Sequence, residues 1–586
     1  MVSPLVALAP QVQSAIAAAL GDDYREADPV LRPSQFADVQ VNAALALAKR
    51  VGMPPREVAS RIVAALDLDG VCDSVEVSGP GFINLTFSSS WLAALLSDVD
   101  ADARLGVPLQ ARQVIPIDYS APNVAKEMHV GHLRTTVVGD ALARTLEHLG
   151  HRVVRQNHIG DWGTPFGMLI EHLLEVGEDS EEAGLLVTDP NTFYQGARAK
   201  FDAAEQAEPA GSAGDFNVRA RARVVALQGG DAETLRLWTK LVGLSKNYFN
   251  RIYSLLGVTL SDEDLAGESM YNDALAGICE ELEAKGIATV SDGALCVFLD
   301  GYTGREGKPV PLIIRKSDGG YGYGTTDLAT IKYRVQTLGA HRALYVVGAP
   351  QGLHLNMVWD TARKAGWLPD DVTPVHVQIG NVLGEDRKIL KTRSGKPLRL
   401  IVLLEEAVDK ARAVIDASRP DLHEDVRAHI AHQIGIGAVK YADLSVAHDS
   451  EYVFDLDRMV SLTGNTGPYL QYVVARVSSI FRQVGLEAST QHAAVLLDET
   501  HERDLAKLLL GFGDVVAAVG DEYEPHRLCG YLFELAQAFS AFYENCPVLK
   551  AERDEVRESR LTLCALVLRT MTQGLDLLGV ESPEQM

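Results

Sequence analysis

Cysteine is scarce in this 586-residue chain: there are six, with no C-x-x-C pair among them. Cys72, Cys279, Cys296, Cys529, Cys546 and Cys564 are scattered, which argues against a zinc ribbon or a disulfide framework and fits a reduced, cytoplasmic setting. No apolar run reaches the roughly 20 residues needed to span a bilayer, so no membrane association is expected. The opening MVSPLVALAPQVQSAIAAALGDD carries no basic region ahead of its apolar part and does not read as a secretory signal. Basic charge is also short, with 54 Lys+Arg against 79 Asp+Glu and a formal net charge of -25. That balance argues against a sequence-blind DNA-coating protein, although a local patch can still steer a polyanion. No internal repeat is found.

What the chain does have is length, far beyond the size at which one hydrophobic core stops growing, so three or four domains are expected. Residues 35–66 read as two helices broken at Met53-Pro54-Pro55, and SVEVSGPGFINLTF (74–87) alternates like two strands around a Gly-Pro-Gly turn. Together they make an N-terminal α+β domain over 1–108. From 112 the rhythm changes. RQVIPIDY reads as a strand, with Pro116 counting against it. Leu133, Val137, Val138, Ala141, Leu142 and Leu146 then recur at helical spacing up to Gly150, and a second strand starts at Val153. The same strand–helix–strand order returns over 343–379. This is the pattern of a doubly wound, Rossmann-like parallel sheet, expected over 109–400 with a helical insertion whose EQAEPAGSAGDF (205–216) is an exposed loop. The remainder reads as helix, at 400–416, 424–446, 467–485, 503–520, 526–544 and 552–578, with 401–455 as linking helices and 456–586 as an all-α bundle.

Within NVAKEMHVGH (123–132), two histidines flank Val130-Gly131 and a lysine precedes them. A zinc site, a phosphate site and a plain helix start are the three candidates. Helical zinc ligands are usually spaced four apart with an inner carboxylate, which His129 and His132 lack. A phosphate site has a mechanism here. The segment joins a strand to a helix, where free N–H groups and the dipole attract anions, and Gly131 admits a ligand close to the backbone.

The longer run DYSAPNVAKEMHVGHLRTTVVGDALARTLEHLGHRVVRQNHIGDWGTPFGMLI (118–170) closely resembles the arginyl-tRNA synthetases, a class I family with an ATP site built on a "HIGH" motif. The likeness extends through VSGPGFINLTF, VKYADLS, FDLDRMVSLTGNTGPYLQYVVARV and AFYENCPVLKA, nearly the whole chain. It implies an enzyme that activates L-arginine with ATP to arginyl-adenylate and transfers it to tRNA(Arg). It implies ATP as a substrate with Mg²⁺, no permanent metal or organic cofactor, and a monomer. tRNA is expected to be required even for the activation step.

Carried over residue by residue, the resemblance makes His129, His132, Lys126 and Lys391 catalytic. Gly131, His354, Leu383, Lys388, Lys391 and Arg393 join the two histidines in binding ATP. The family's mobile lysine loop, KMSKS, is represented by GEDRKILKTRSGK (384–396), and Lys126 is expected to compensate for its departure from that pattern. Arginine falls to Asp118, which stands where many relatives have glutamate, and to Ser120, Asn123, Tyr323, Asp327 and Gln351. A guanidinium fork is best matched by a carboxylate, and Tyr323 and Asp327 lie one helical turn apart. In isolation Thr325-Thr326-Asp327 would read as a helix cap. Domain 1–108 is implied to touch the corner of the tRNA, with Phe82 and Asn84 as candidates. Domain 456–586 is implied to read the anticodon, with Tyr469, Tyr472 and Arg476 proposed for the contact and Tyr531 and Tyr543 behind them. Asp161 and Trp162 are assigned to packing. A synthetase for another amino acid and a non-catalytic RNA-binding paralogue are the rival readings.

Overall fold

The computed structural model describes residues 3–124, 126–206, 215–304, 307–317, 319–390 and 398–586. Its N-terminal part is a four-stranded antiparallel sheet in the order Leu31–Pro33, Val39–Val41, Phe82–Phe87, Cys72–Ser78, packed with helices Pro4–Leu20, Ala43–Val51, Pro55–Ala65 and Ser89–Ala101. The helix expected from residue 35 therefore starts only at Ala43. The Val39-Gln40-Val41 stretch is β-branched and half-buried, and it pairs with Ile83–Leu85 instead of winding.

At the centre lies a four-stranded parallel sheet in the order Thr373–Ile379, Arg342–Gly348, Val114–Asp118, Arg152–Gln156. Pro116 is tolerated in it because of register. The Val114 carbonyl accepts from His341 N on the side of Arg342–Gly348, and Pro116 faces the same way, where strand pairing begins only at Ile117. Helices Val130–His148 and Gly352–Lys364 are the crossovers. The chain leaves Val114–Asp118 and Arg342–Gly348, adjacent in the sheet, towards opposite flanks. A crevice therefore opens at their carboxyl ends, where α/β sheets hold ligands. Close approach of the first crossover helix depends on Gly139, where a Cβ would lie 2.3 Å from Tyr119 Cβ.

Five helices between Thr164 and Leu256 form the expected insertion, although 207–214 of its loop lie outside the described residues. Sequence reading missed a three-stranded antiparallel sheet, Ala288–Ser291, Ala294–Thr303 and Pro309–Arg315. The C-terminal helices fall close to their expected places. Only 503–520 is divided, into Thr500–Leu509 and Phe512–Glu522. A buried ion pair, Arg134 Nε to Asp443 Oδ1 at 3.1 Å, fastens the first crossover helix to helix Glu424–Leu444. No helix is long and apolar enough to cross a membrane among the described residues.

Candidate active site

His129 is the N-cap of helix Val130–His148, and the two histidines cap it reciprocally. Nδ1 of His129 accepts Gly131 N–H at 3.0 Å, and Nδ1 of His132 accepts His129 N–H at 3.1 Å. An imidazole accepting through Nδ1 carries its proton on Nε2, so each ring keeps one N–H donor to offer. Both are held neutral. Burial, and then the neighbouring His129, pulls His132 down to about 3, while burial and then Lys126 lower His129. Gly131 is dictated by this cap, because a Cβ there would lie 2.8 Å from His129 Cε1.

Two cavities meet at His129. One, about 500 Å³, is lined by His129, His132, Asn123, Lys126 and Tyr194, with the Lys126 ammonium 4.3 Å from the centre of the Tyr194 ring. The other, about 240 Å³, opens on the far side of Gly131. Gly348, Ile379, Val382 and Ile389 make its wall largely apolar.

Both ends of the lysine loop are pinned here. Upstream, Val382–Leu383 pairs with Tyr452–Val453, and Leu390 N–H donates to Val382 O. Leu383 is thus held through its backbone, and Lys388 sits exposed in the turn that follows. Downstream, Val130 N–H donates to Leu398 O and Leu400 N–H to Met128 O. Lys391, Arg393 and Gly395 lie outside the described residues.

A second group of side chains converges at the crevice. Helix Tyr323–Gln336 starts at Tyr323, so Asp327 sits beyond the cap position, with the Tyr323 ring 68% exposed one turn before it. Asp327 Oδ2 accepts from His354 Nε2 at 2.6 Å, and His158 Nε2 stands 3.9 Å from Oδ1. Burial opposes protonation of His354, yet the Asp327 hydrogen bond and charge prevail and raise its pKa. Gln351 is exposed at the head of helix Gly352–Lys364. Glu268, which sequence reading overlooked, joins this group. Burial, and then the charges of Asp327 and Asp161, push its carboxyl up to about 8. Asp161 is itself raised by burial while Ser269 donates to both its oxygens, at 2.9 and 2.6 Å. Three acidic side chains, Asp161 and Glu268 buried and Asp327 partly exposed beside His354 and His158, are a setting that suits a cationic ligand.

The other expected residues are placed as follows. Asp118 is buried at the strand end, with its Oδ2 accepting from Arg334 Nη2 at 2.8 Å. Ser120, at φ +69°, is also buried, and its hydroxyl lies 2.9 Å from both Tyr253 OH and Thr136 Oγ1. Asn123 is exposed and bridges to Gly160. Trp162 packs edge-on to Trp238, whose Nε1 donates to Asp161 O. In the C-terminal bundle Tyr472 is 41% exposed, Arg476 lies over the Tyr543 ring, and Tyr469 packs edge-on against Phe533. Tyr531 is buried and donates to Leu508 O at 2.8 Å. Asn84 is tied into its sheet by Gln40 and Ser78. Among the described residues no three His, Cys, Asp or Glu side chains converge as a metal site would require.

Comparison with known proteins agrees along the whole chain. Residues 94–456 match the family described as tRNA synthetases class I (R), catalytic domain. Residues 470–586 match the DALR anticodon binding domain, and 7–87 the arginyl tRNA synthetase N terminal domain. An arginine–tRNA ligase of Thermobifida fusca (strain YX) is 67% identical over 586 residues, 100% of both chains. One of Edwardsiella ictaluri (strain 93-146) is 48% identical over 95% of this chain and 96% of its own. The solved arginyl-tRNA synthetase of Plasmodium falciparum superposes with a TM-score of 0.84 at 26% identity, covering 100% of both chains. That of Thermus thermophilus shares the fold, with a TM-score of 0.75 at 24% identity over 98% and 99%. A catalytic-domain match over more than half the length, with end-to-end relatives at such identity, places this chain in the arginyl-tRNA synthetase family.

Proposed function

We propose that the chain ligates L-arginine to the 3′ end of tRNA(Arg) at the expense of ATP. The observation that carries this is the acidic group of Asp327, Glu268 and Asp161, with Asp327 bonded to His354, together with the histidine-capped cleft. The arginine carboxylate attacks the α-phosphorus of ATP and pyrophosphate leaves. The terminal 2′-hydroxyl of the tRNA then attacks the carbonyl of the adenylate and AMP leaves. Such chemistry is served by positioning and charge stabilisation. The apolar cavity beyond Gly131 takes the adenosine, and the Nε2–H donors of His129 and His132 face the phosphates. Lys126, Lys388, Lys391 and Arg393 attract the departing pyrophosphate, and Mg²⁺ enters with ATP as part of the substrate. Asp327 and Glu268 hold the guanidinium, with Tyr323 and Gln351 completing the wall and Asn123 holding the amino-acid end. A small apolar substrate would leave these polar groups unpaired at heavy cost.

Residues 1–108 contact the corner of the tRNA and 456–586 the anticodon, with Tyr472 and Arg476 on the contact surface. The enzyme is monomeric and cytoplasmic. Pyrophosphate exchange with arginine and ATP tests this reading. Exchange is expected only when tRNA(Arg) is added, and robust exchange without it would refute the tRNA-dependent activation step.

A further inference from the structure

Arg334 is the largest polar group buried beside the pocket. Its side chain is 0% exposed, and its Nη2 donates to Asp118 Oδ2 at 2.8 Å. The guanidinium also lies 4.6 Å from the centre of the Tyr345 ring, and Asp118 and Tyr345 are directly paired across the two central strands. The Arg334 charge acts on the Tyr271 hydroxyl too, which burial pushes up to about 12. Tyr271 closes the short turn Glu268–Tyr271. On its own helix Arg334 stands seven residues after Asp327, two turns along the same face.

One guanidinium therefore touches or acts on three of the elements around the pocket: its own helix, which carries Tyr323 and Asp327, the strand end leading into Ser120 and Asn123, and the turn of Glu268 through Tyr271. Stability does not account for this arrangement. Replacing a buried ion pair by apolar side chains is often neutral or stabilising, and Asp118 Oδ1 accepts no hydrogen bond among the described residues. An ion pair does impose one register between helix and strand, here through the single contact of Nη2 with Asp118 Oδ2, with the planar guanidinium held over the Tyr345 ring.

We propose that Arg334 is a positioning residue for substrate arginine: through Asp118 it sets the distance between the Asp327 carboxylate and the strand end that carries Asn123. The proposal rests on the arginine-ligase reading. It also explains why Asp118, at the ligand edge of the sheet, does not compete for the substrate guanidinium: the chain's own guanidinium already neutralises it.

The test is steady-state charging of tRNA(Arg) by Arg334→Ala and Arg334→Lys beside the wild type, with KM measured separately for arginine and ATP. Displacing a pocket wall by about 1 Å costs on the order of 10²-fold. Arg334→Ala is expected to raise the KM for arginine by that order while leaving the KM for ATP within a few-fold. Guanidinium chloride at sub-denaturing concentration should restore much of the loss by filling the vacated site against Asp118, whereas sodium chloride at equal ionic strength should not. Arg334→Lys keeps the charge but loses the planar guanidinium over Tyr345 and should fall between the two. If Arg334→Ala does not fold, Arg334→Lys alone decides: a wild-type KM for arginine overturns the proposal. Equal losses in both KM values without guanidinium rescue would reduce Arg334 to a packing role and also overturn it. A wild type that charges no arginine would instead refute the ligase reading.

Discussion

His132 accepts the backbone N–H of His129 through Nδ1 at 3.1 Å, while His129 turns its own Nδ1 onto Gly131 N–H. This reciprocal cap consumes the ring nitrogens that would bind a metal and leaves two N–H donors fixed at a helix N-terminus. It also fixes the charge state. A ring whose protonation is pushed down to about 3 stays neutral throughout the physiological range. The pair therefore offers hydrogen-bond donors rather than positive charge.

Gly131→Ala tests the cap. The added methyl would press on His129 Cε1 and Nδ1, at 2.8 and 2.9 Å, and the ring must swing away. The variant is expected to fold, to raise the KM for ATP, and to lose roughly 10²-fold in kcat/KM, the scale of a small misplacement at a reacting centre. Wild-type kinetics would mean that the His129 ring is not used where it stands.

Glu268 gives a pH prediction. Its carboxyl titrates near 8 in the free protein, so at neutral pH it is largely protonated. A bound guanidinium favours the carboxylate and pulls that pKa down, so arginine binding must release a proton. Affinity for arginine is then expected to climb as pH rises towards about 8 and to level off above it. Calorimetry at pH 7 in buffers of differing ionisation enthalpy should show up to one proton released, and Glu268→Gln should abolish the release. The same shift works against folding. A group with a raised folded pKa stabilises the protein below its unfolded value near 4.5 and loses that contribution as pH rises to about 8, so Glu268→Gln should gain stability at pH 8.

Much of this site was legible in the sequence. His129, Gly131 and His132 fall within four residues, and strand–helix order alone places them at the sheet edge. Asp327 was assigned to arginine by the family resemblance, with Tyr323 one helical turn before it. Glu268 was not, because it is one of 79 acidic residues. It acquires meaning only when the backbone pairing of Ala266 and Glu268 with Asn157 and Ile159 carries its turn against Asp161. Its one sequence cue was the Gly267 before it, where a Cβ would strike the Asp161 carboxylate at 2.5 Å. For Asp118 the resemblance named a substrate role, but its hydrogen-bond partner Arg334, 216 residues away, could not be read from the sequence. The fold behaved alike. Helices with long apolar periodicity were placed to within a few residues, whereas short strands such as Val39–Val41 depend on partners distant in the chain.

In the C-terminal bundle two tyrosines should separate contact from packing. Tyr472→Ala is expected to raise the KM for tRNA(Arg), since loss of one stacked base costs ~1–3 kcal/mol, while the KM for arginine stays unchanged. Tyr531→Phe removes a buried hydroxyl bonded to Leu508 O. It should cost about 1 kcal/mol of stability by denaturant melting and leave the KM for tRNA unaltered. The opposite assignment of effects would exchange their roles.

The most direct test is charging of purified tRNA(Arg) with radiolabelled arginine, run beside Asp327→Ala and a lysine-substrate control. Truncating one partner of a buried, hydrogen-bonded charge pair typically costs ~2–5 kcal/mol. The wild type is expected to charge arginine and not lysine, and Asp327→Ala to lose charging by tens- to thousands-fold through the KM for arginine. Binding of tRNA(Arg) without charging by the wild type, or an unimpaired Asp327→Ala, would contradict the account.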